Sequence, residues 1–199
     1  MTTTRFFVYG SLSEGMVHFS KIQNFIVSSQ PAALCATAYR LKVGFPVLID
    51  SGTDLIAGQF VELKSSEILL SLLDEFFGFN PQNPQKSLCF REERDITLAG
   101  ERAEKAWVYF LNPQKLPSTA TLIPGGDWQK SMREHPALTL RLTEKQKSYI
   151  SKLGGSSGRD IIPIDLQLYR ELMNLELIVD KGRRLALSKL GYEVYRYLS

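Results

Sequence analysis

Phe6-Phe7-Val8-Tyr9-Gly10-Ser11-Leu12 is the stretch from which the rest of the chain is read. A short apolar run stopped by Gly-Ser has the pattern of a buried strand entering a turn. Gly10 takes a positive φ at no steric cost. A turn of that kind aims several backbone N–H groups at one point, which makes a nest for an anion or an oxyanion. Taken alone the signal is weak, because a strand ending in Tyr-Gly-Ser is more often only a turn.

Outward from it, residues 36–50 carry Tyr, Val, Phe and Ile around Gly44 and Pro46, which predicts strand, break, strand. Residues 55–63 contain Gly58 and then the alternation Phe60, Val61, Leu63. Ser65-Ser66-Glu67 has the form of a helix start. Ile68, Leu69, Leu72, Leu73 and Phe76 follow at spacings of three and four, one apolar stripe. Gly78 stops this helix, and Pro81 and Pro84 keep it stopped. Residues 88–98 and 105–111 predict two more strands around an Ala99-Gly100-Glu101 turn. Helices are few and do not alternate with strands, so the expected class is α+β, with a mostly antiparallel sheet curled towards a barrel.

Residues 116–135 are rich in loop signals, and a domain boundary is expected at 136–140, giving domains 1–136 and 141–199. Thr143-Glu144-Lys145-Gln146 has capping-box spacing and predicts a helix to about 153. A glycine-serine break follows over 154–158. A second helix is predicted over 164–175, a hairpin around Asp180-Lys181-Gly182-Arg183, and a last helix capped by Ser188.

The chain has 199 residues, 44% hydrophobic and 23% charged, which is ordinary globular composition. Its net charge of +3 is unevenly placed: residues 141–199 hold 11 Lys/Arg against 7 Asp/Glu, and the rest holds 13 against 14. That asymmetry is a mild hint of an anionic partner, with a solvated face as the plainer reading. Two cysteines make neither a disulfide scaffold nor a zinc site. With no apolar leader or membrane-length run, a cytoplasmic protein without membrane contact is expected. His18 and His135 are the only histidines and no metal-ligand spacing surrounds them, so no metal is expected. A Ser-His hydrolase built on Ser11 lacks the Gly-x-Ser-x-Gly elbow.

Taken in order, these segments resemble the γ-glutamylcyclotransferase-like (AIG2-like) family over about residues 4–128. The matches are Tyr9-Gly10-Ser11-Leu12 with Gly15, Gly44-Phe45-Pro46, Gly58-Gln59-Phe60-Val61-Glu62-Leu63, Leu73-Asp74, Phe90-Arg91, Ala106-Trp107-Val108-Tyr109 and Gly126-Asp127-Trp128. The resemblance implies the family's barrel and a reaction without a cofactor. In it the α-amine of a γ-glutamyl group attacks its own γ-carbonyl, expels the amine partner and leaves 5-oxoproline. It also implies a cradle for the substrate at Tyr9, Gly10, Ser11 and Leu12, with Phe77 and Arg91 in the substrate site, and a glutamate as proton acceptor.

The glutamate is where the sequence departs. The family pattern places it three residues after the Asp of Leu-Asp, and here that position is Phe77. A phenyl ring accepts no proton. Glu75 lies two residues upstream, about 200° around a helix. Glu92 and Glu93 follow Arg91 on a strand, where alternation turns one of them inward. These three are the candidates for a displaced base, with ion pairing to Arg91 or Arg94 as the competing reading for the latter two. The position two before the arginine, a tyrosine in many relatives, is Cys89, read as a small buried hydrophobe. Phe76, Phe77 and Phe79 read as core or as an apolar pocket wall.

The tail, with Leu177-Ile178-Val179 and then Leu187-Ser188-Lys189-Leu190-Gly191, resembles a winged-helix module. Its second helix would show Asp165, Gln167, Arg170, Glu171 and Asn174, which is not a basic recognition surface. Lys181, Arg183 and Arg184 on the wing could touch phosphates. Packing or homodimerisation is the expectation preferred over nucleic-acid contact. Three functions stay open: an enzyme with a displaced carboxylate, a barrel holding a γ-glutamyl-type ligand without turnover, and a regulator whose tail contacts DNA.

Overall fold

A computed structural model describes residues 2–100, 102–157 and 160–198. Glu101 of the predicted turn and Gly158 of the glycine-serine break lie outside the described residues. The chain divides into two compact units. One comprises Met1–Leu41 with Phe45–Arg133, the other Lys42–Gly44 with Glu134–Ser199.

The first unit is a mixed α+β structure around a closed five-stranded barrel. Its strands are β1 (Thr3–Val8), β2 (Ile26–Cys35), β5 (Leu55–Lys64), β6 (Cys89–Leu98) and β7 (Ala103–Leu111). A separate three-stranded sheet has β3 (Thr37–Arg40) between β4 (Pro46–Ile49) and β8 (Thr121–Leu122). Around the barrel the order is β1-β5-β2-β6-β7. β1 pairs antiparallel with β5 from Thr3↔Lys64 to Val8↔Gln59. β6 and β7 form a hairpin in the register Cys89↔Leu111 to Thr97↔Ala103. Closure comes from one parallel pair, Phe6↔Trp107, and from Ala32 and Ala33 of β2 against Leu98 and Thr97 of β6.

Alternation along the strands sorts side chains into two layers. Phe7, Ile56, Phe60, Ile96, Val108 and Phe110 point inward and share one core. Phe6, Val8, Val61 and Leu63 point outward and are covered by α1 (Glu67–Phe77) through Leu69 and Leu73. Ser66 begins α1 as expected, its Oγ accepting the Leu69 N–H at 3.0 Å. Gly78 ends it at φ +66, a left-handed C-cap, and the Phe79 N–H bonds back to the Asp74 carbonyl at 2.8 Å. One member of the predicted stripe departs: Ile68 is 75% exposed, while Asp74 is buried. The helix therefore turns its Leu69–Leu73 edge to the barrel and carries a carboxylate inside with it.

β2 is a strand for which the sequence offered no pattern. Residues 27–31 are all exposed and include Pro31, so neither alternation nor propensity marks them. Backbone pairing to β5 down its whole length, with a bulge between Ile26 and Ser28, makes it a strand.

In the second unit α3 (Leu138–Arg141), α4 (Glu144–Gly154), α5 (Leu166–Asn174), the hairpin β9 (Ile178–Asp180) and β10 (Leu185–Leu187), and α6 (Lys189–Leu198) follow one another. They come after α2 (Trp128–Glu134), a short helix ending at the boundary. Thr143 and Gln146 form the full reciprocal capping box. Asp165 caps α5 by accepting from the Leu168 N–H, and Ser188 accepts from the Gly191 N–H at 2.9 Å. Ile150, Leu168, Leu172, Leu177, Ile178 and Val194 are buried. Among the described residues no helix is long and apolar enough to cross a membrane.

Candidate functional site

The segments picked out along the sequence are brought into contact by the barrel. β1 ends at Val8, and Gly10–Leu12 form one tight 3-10 turn. Gly10 sits at φ +75, the left-handed conformation that a backbone nest requires. A Cβ on Gly10 would lie 2.2 Å from Cγ of Pro46. The turn and the proline of Gly-Phe-Pro therefore specify each other, since neither backbone could approach so closely with a side chain between. The Ser11 carbonyl accepts the His18 N–H at 2.9 Å, and Ser11 itself is buried. Tyr9 donates its hydroxyl to the Gly126 carbonyl at 2.8 Å, tying the turn to Gly126-Asp127-Trp128.

A second linkage joins α1 to the β6–β7 hairpin. Arg91 donates through Nη1 to both oxygens of Asp74, at 2.9 and 3.0 Å. Tyr109, the partner of Arg91 across the strands, donates its hydroxyl to Asp74 Oδ1 at 2.7 Å. The guanidinium lies over the rings of Phe79 and Trp107, 5.3 and 5.4 Å from their centres. Leu-Asp, Phe-Arg and the late aromatic strand are thus one buttress, satisfying a buried carboxylate from two sides.

Between turn, helix and hairpin lies a cavity with about 40 Å3 of free space. Tyr9 and Leu12 from the turn, Phe77 from α1, and Cys89, Tyr109 and Leu111 from the hairpin line it. No carboxylate belongs to its wall among the described residues. Phe77 stacks on Tyr109 with ring centres 4.2 Å apart and planes 11° from parallel, and meets Phe76 edge-on at 5.0 Å. The structure thus places Phe77 in the cavity beside the Tyr-Gly-Ser-Leu turn, where the family resemblance expects a proton acceptor.

The other named candidates lie elsewhere. Glu75 is exposed on the far side of α1. Glu92 shares the strand face of Phe90 and Arg94 and pairs with Arg94, which also holds Asp50. Glu93 is exposed. Arg91 is committed to Asp74 and, like Gly10 and Ser11, is not part of the cavity wall. Cys89 is a buried free thiol and Cys35 an exposed one. Among the described residues no group of three or more His, Cys, Asp or Glu is placed to hold a metal ion. What the sequence reading missed is the role of Tyr109 and Asp74: a Leu-Asp pair inside an apolar stripe was the available signal that this aspartate needs a buried partner.

Burial pushes both tyrosine hydroxyls up, Tyr9 with help from the Asp127 charge and Tyr109 with help from its bond to Asp74. Above about pH 10 the unfolded chain ionises both phenols and the folded chain does not, so stability falls as pH rises from there. Burial also raises the Tyr149 hydroxyl, so alkaline absorbance titration is expected to show at least Tyr9 and Tyr109 of the eight tyrosines ionising only with unfolding. Phenylalanine at either position should remove one of them from the late phase.

A closed β1-β5-β2-β6-β7 barrel, a glycine turn wedged on a proline and an aspartate–arginine–tyrosine buttress define a small α+β barrel protein. The chain belongs to the family described as Gamma-glutamyl cyclotransferase, AIG2-like, whose profile matches residues 6–130. No curated protein matches it. Among solved structures it is similar to YkqA from Bacillus subtilis, at 17% identity over 78% of this chain and 54% of that one, with a TM-score of 0.50. The chain thus spans about half of YkqA. A protein from Arabidopsis thaliana is similar at 17% identity over 67% of this chain and 85% of that one, again with a TM-score of 0.50. An AIG2-like protein from Mus musculus matches at 16% identity over 60% and 83%, with a TM-score of 0.47. At these identities the likeness concerns the fold.

Proposed function

We propose that this chain is a non-cyclising member of its family, a barrel that keeps the turn and the buttress but holds the pocket closed and apolar. The observation that carries this is Phe77 stacked on Tyr109 inside the cavity lined by Tyr9 and Leu12. Cyclisation needs a group to take the proton from the attacking ammonium, and losing a general base typically costs about 10²–10⁴ in rate. Glu75, Glu92 and Glu93 are turned to solvent or to Arg94, so none supplies that group. Ligand pockets usually offer roughly 300–1,000 Å3. A cavity of about 40 Å3 leaves a γ-glutamyl group no room while Phe77 holds its place. The test is enzyme-dependent release of 5-oxoproline by the wild-type chain across a panel of γ-glutamyl amines and peptides. Background rates are expected throughout, and saturable release from any member would overturn the reading.

A second reading concerns the tail. Lys181, Arg183 and Arg184 stand exposed on the β9–β10 hairpin, and none forms an ion pair with a described residue. Three free cations on one wing-like hairpin favour contact with a phosphate backbone. If so, affinity for duplex DNA falls steeply with added salt, and replacing all three by glutamine flattens the salt slope. Salt-independent or absent binding would reject it.

A further inference from the structure

Outside the barrel, on the flank of α1 away from the cavity, runs an open groove of about 410 Å3. Glu67, Leu70, Ser71, Asp74 and Glu75 recur at helical spacing and form one wall, while Phe79, Pro81 and Arg91 contribute to the other. We propose that this groove binds a short peptide-like zwitterion, its carboxylate on Arg91 and its ammonium on Glu67.

Arg91 is the reason. Its Nη1 holds Asp74 and the guanidinium also acts on the Tyr109 hydroxyl, while no acceptor among the other described residues reaches Nε or Nη2. The guanidinium is nevertheless fixed, by Asp74 at one end and by the rings of Phe79 and Trp107 over its faces. Asp74 is in turn fixed by the Tyr109 hydroxyl. A guanidinium held in this way loses little freedom when a ligand arrives. Its remaining N–H edge has the fork geometry that a carboxylate fills with two parallel bonds.

The charges of the other groove residues set what else the ligand carries. Asp74 and Arg91 neutralise each other, whereas Glu67 and Glu75 are exposed and form no ion pair with a described residue. Two free carboxylates repel a polyanion and favour an ammonium. Glu67 lies seven residues before Asp74, about 10 Å along the helix axis. An extended chain of three residues spans about 10 Å. A tripeptide therefore reaches from one charge to the other, with Leu70, Phe79 and Pro81 as an apolar floor beneath it. This site is separate from the cavity, and the inference does not depend on whether Phe77 abolishes cyclisation.

The experiment is calorimetric titration of the whole chain with trialanine, its C-terminal amide and its N-acetyl form. Saturable binding of trialanine is expected, weakened about tenfold by amidation. Arg91→Gln should abolish it, but that change also strips Asp74 of its partner. Glu67→Gln leaves the buttress intact, so it is the discriminating variant. It should weaken trialanine several-fold and leave the N-acetyl peptide, already without the ammonium, unchanged. No saturable binding up to about 10 mM, or an affinity indifferent to both amidation and Glu67→Gln, would overturn the proposal.

Discussion

Asp74→Asn is expected to destabilise the first unit by about 2–4 kcal/mol, among the largest effects of any single polar substitution in it. Breaking a buried pair from one side typically costs about 3–5 kcal/mol, because the surviving charge is left without compensation. Arg91 keeps some exposure, which sets the expectation somewhat lower. Asparagine also turns an acceptor of three hydrogen bonds into a mixed donor and acceptor, so Tyr109 and Nη1 compete for a single carbonyl. The measurement is the urea midpoint at unchanged m. A double change, Asp74→Asn with Arg91→Met, removes the orphaned charge and should recover much of the loss. If the double variant is as unstable as the sum of the two singles, the pair is not the unit described here.

Phe77→Ala is expected to cost about 2–3 kcal/mol. Phe77 packs against two hydrophobic clusters, one of which contains Leu69, Leu73 and Tyr109 and the other Ile49, Cys89 and Leu111. Truncation of a fully buried phenylalanine costs about 3–5 kcal/mol, and an aromatic stack adds about 0.5–1.5 kcal/mol beyond area. Phe77 is only partly buried, which brings the expectation down. Phe77→Leu should retain most of the stability by filling the same space without the stack. Equal losses for alanine and leucine would show that the stack on Tyr109, rather than the filled volume, carries the energy.

Much of this was written in local pattern. Ser66, Gly78, Thr143 and Ser188 mark helix ends because caps act over three or four residues, and all four act there as the pattern implies. The strand around Phe6 and the hairpin of β6 and β7 are similarly local. β2 was not legible, because its exposed Ser28-Ser29-Gln30-Pro31 run becomes a strand only through β5, more than twenty residues away. Phe77 was legible as a departure, since its place after Leu73-Asp74 is a matter of counting. Its stack on Tyr109 was not, because the two are brought together only by packing α1 on the hairpin. Arg91 was expected in the substrate site, and its bond to Asp74 was not legible. Alternation fixes which face of β6 it occupies, but which helix residue waits there is a tertiary fact.

The most direct test of the account is 5-oxoproline release from γ-glutamyl amines and peptides by the wild-type chain beside Phe77→Glu, each first shown to be folded. Glutamate at this position would sit in an apolar wall between Leu12 and Tyr109, where burial raises a carboxyl towards the range of a working base. Background release is expected from wild type, with a gain of about 10²–10⁴ in the variant. Wild-type turnover equal to or above that of Phe77→Glu would contradict it, since the base would then have to come from a residue other than the one at position 77.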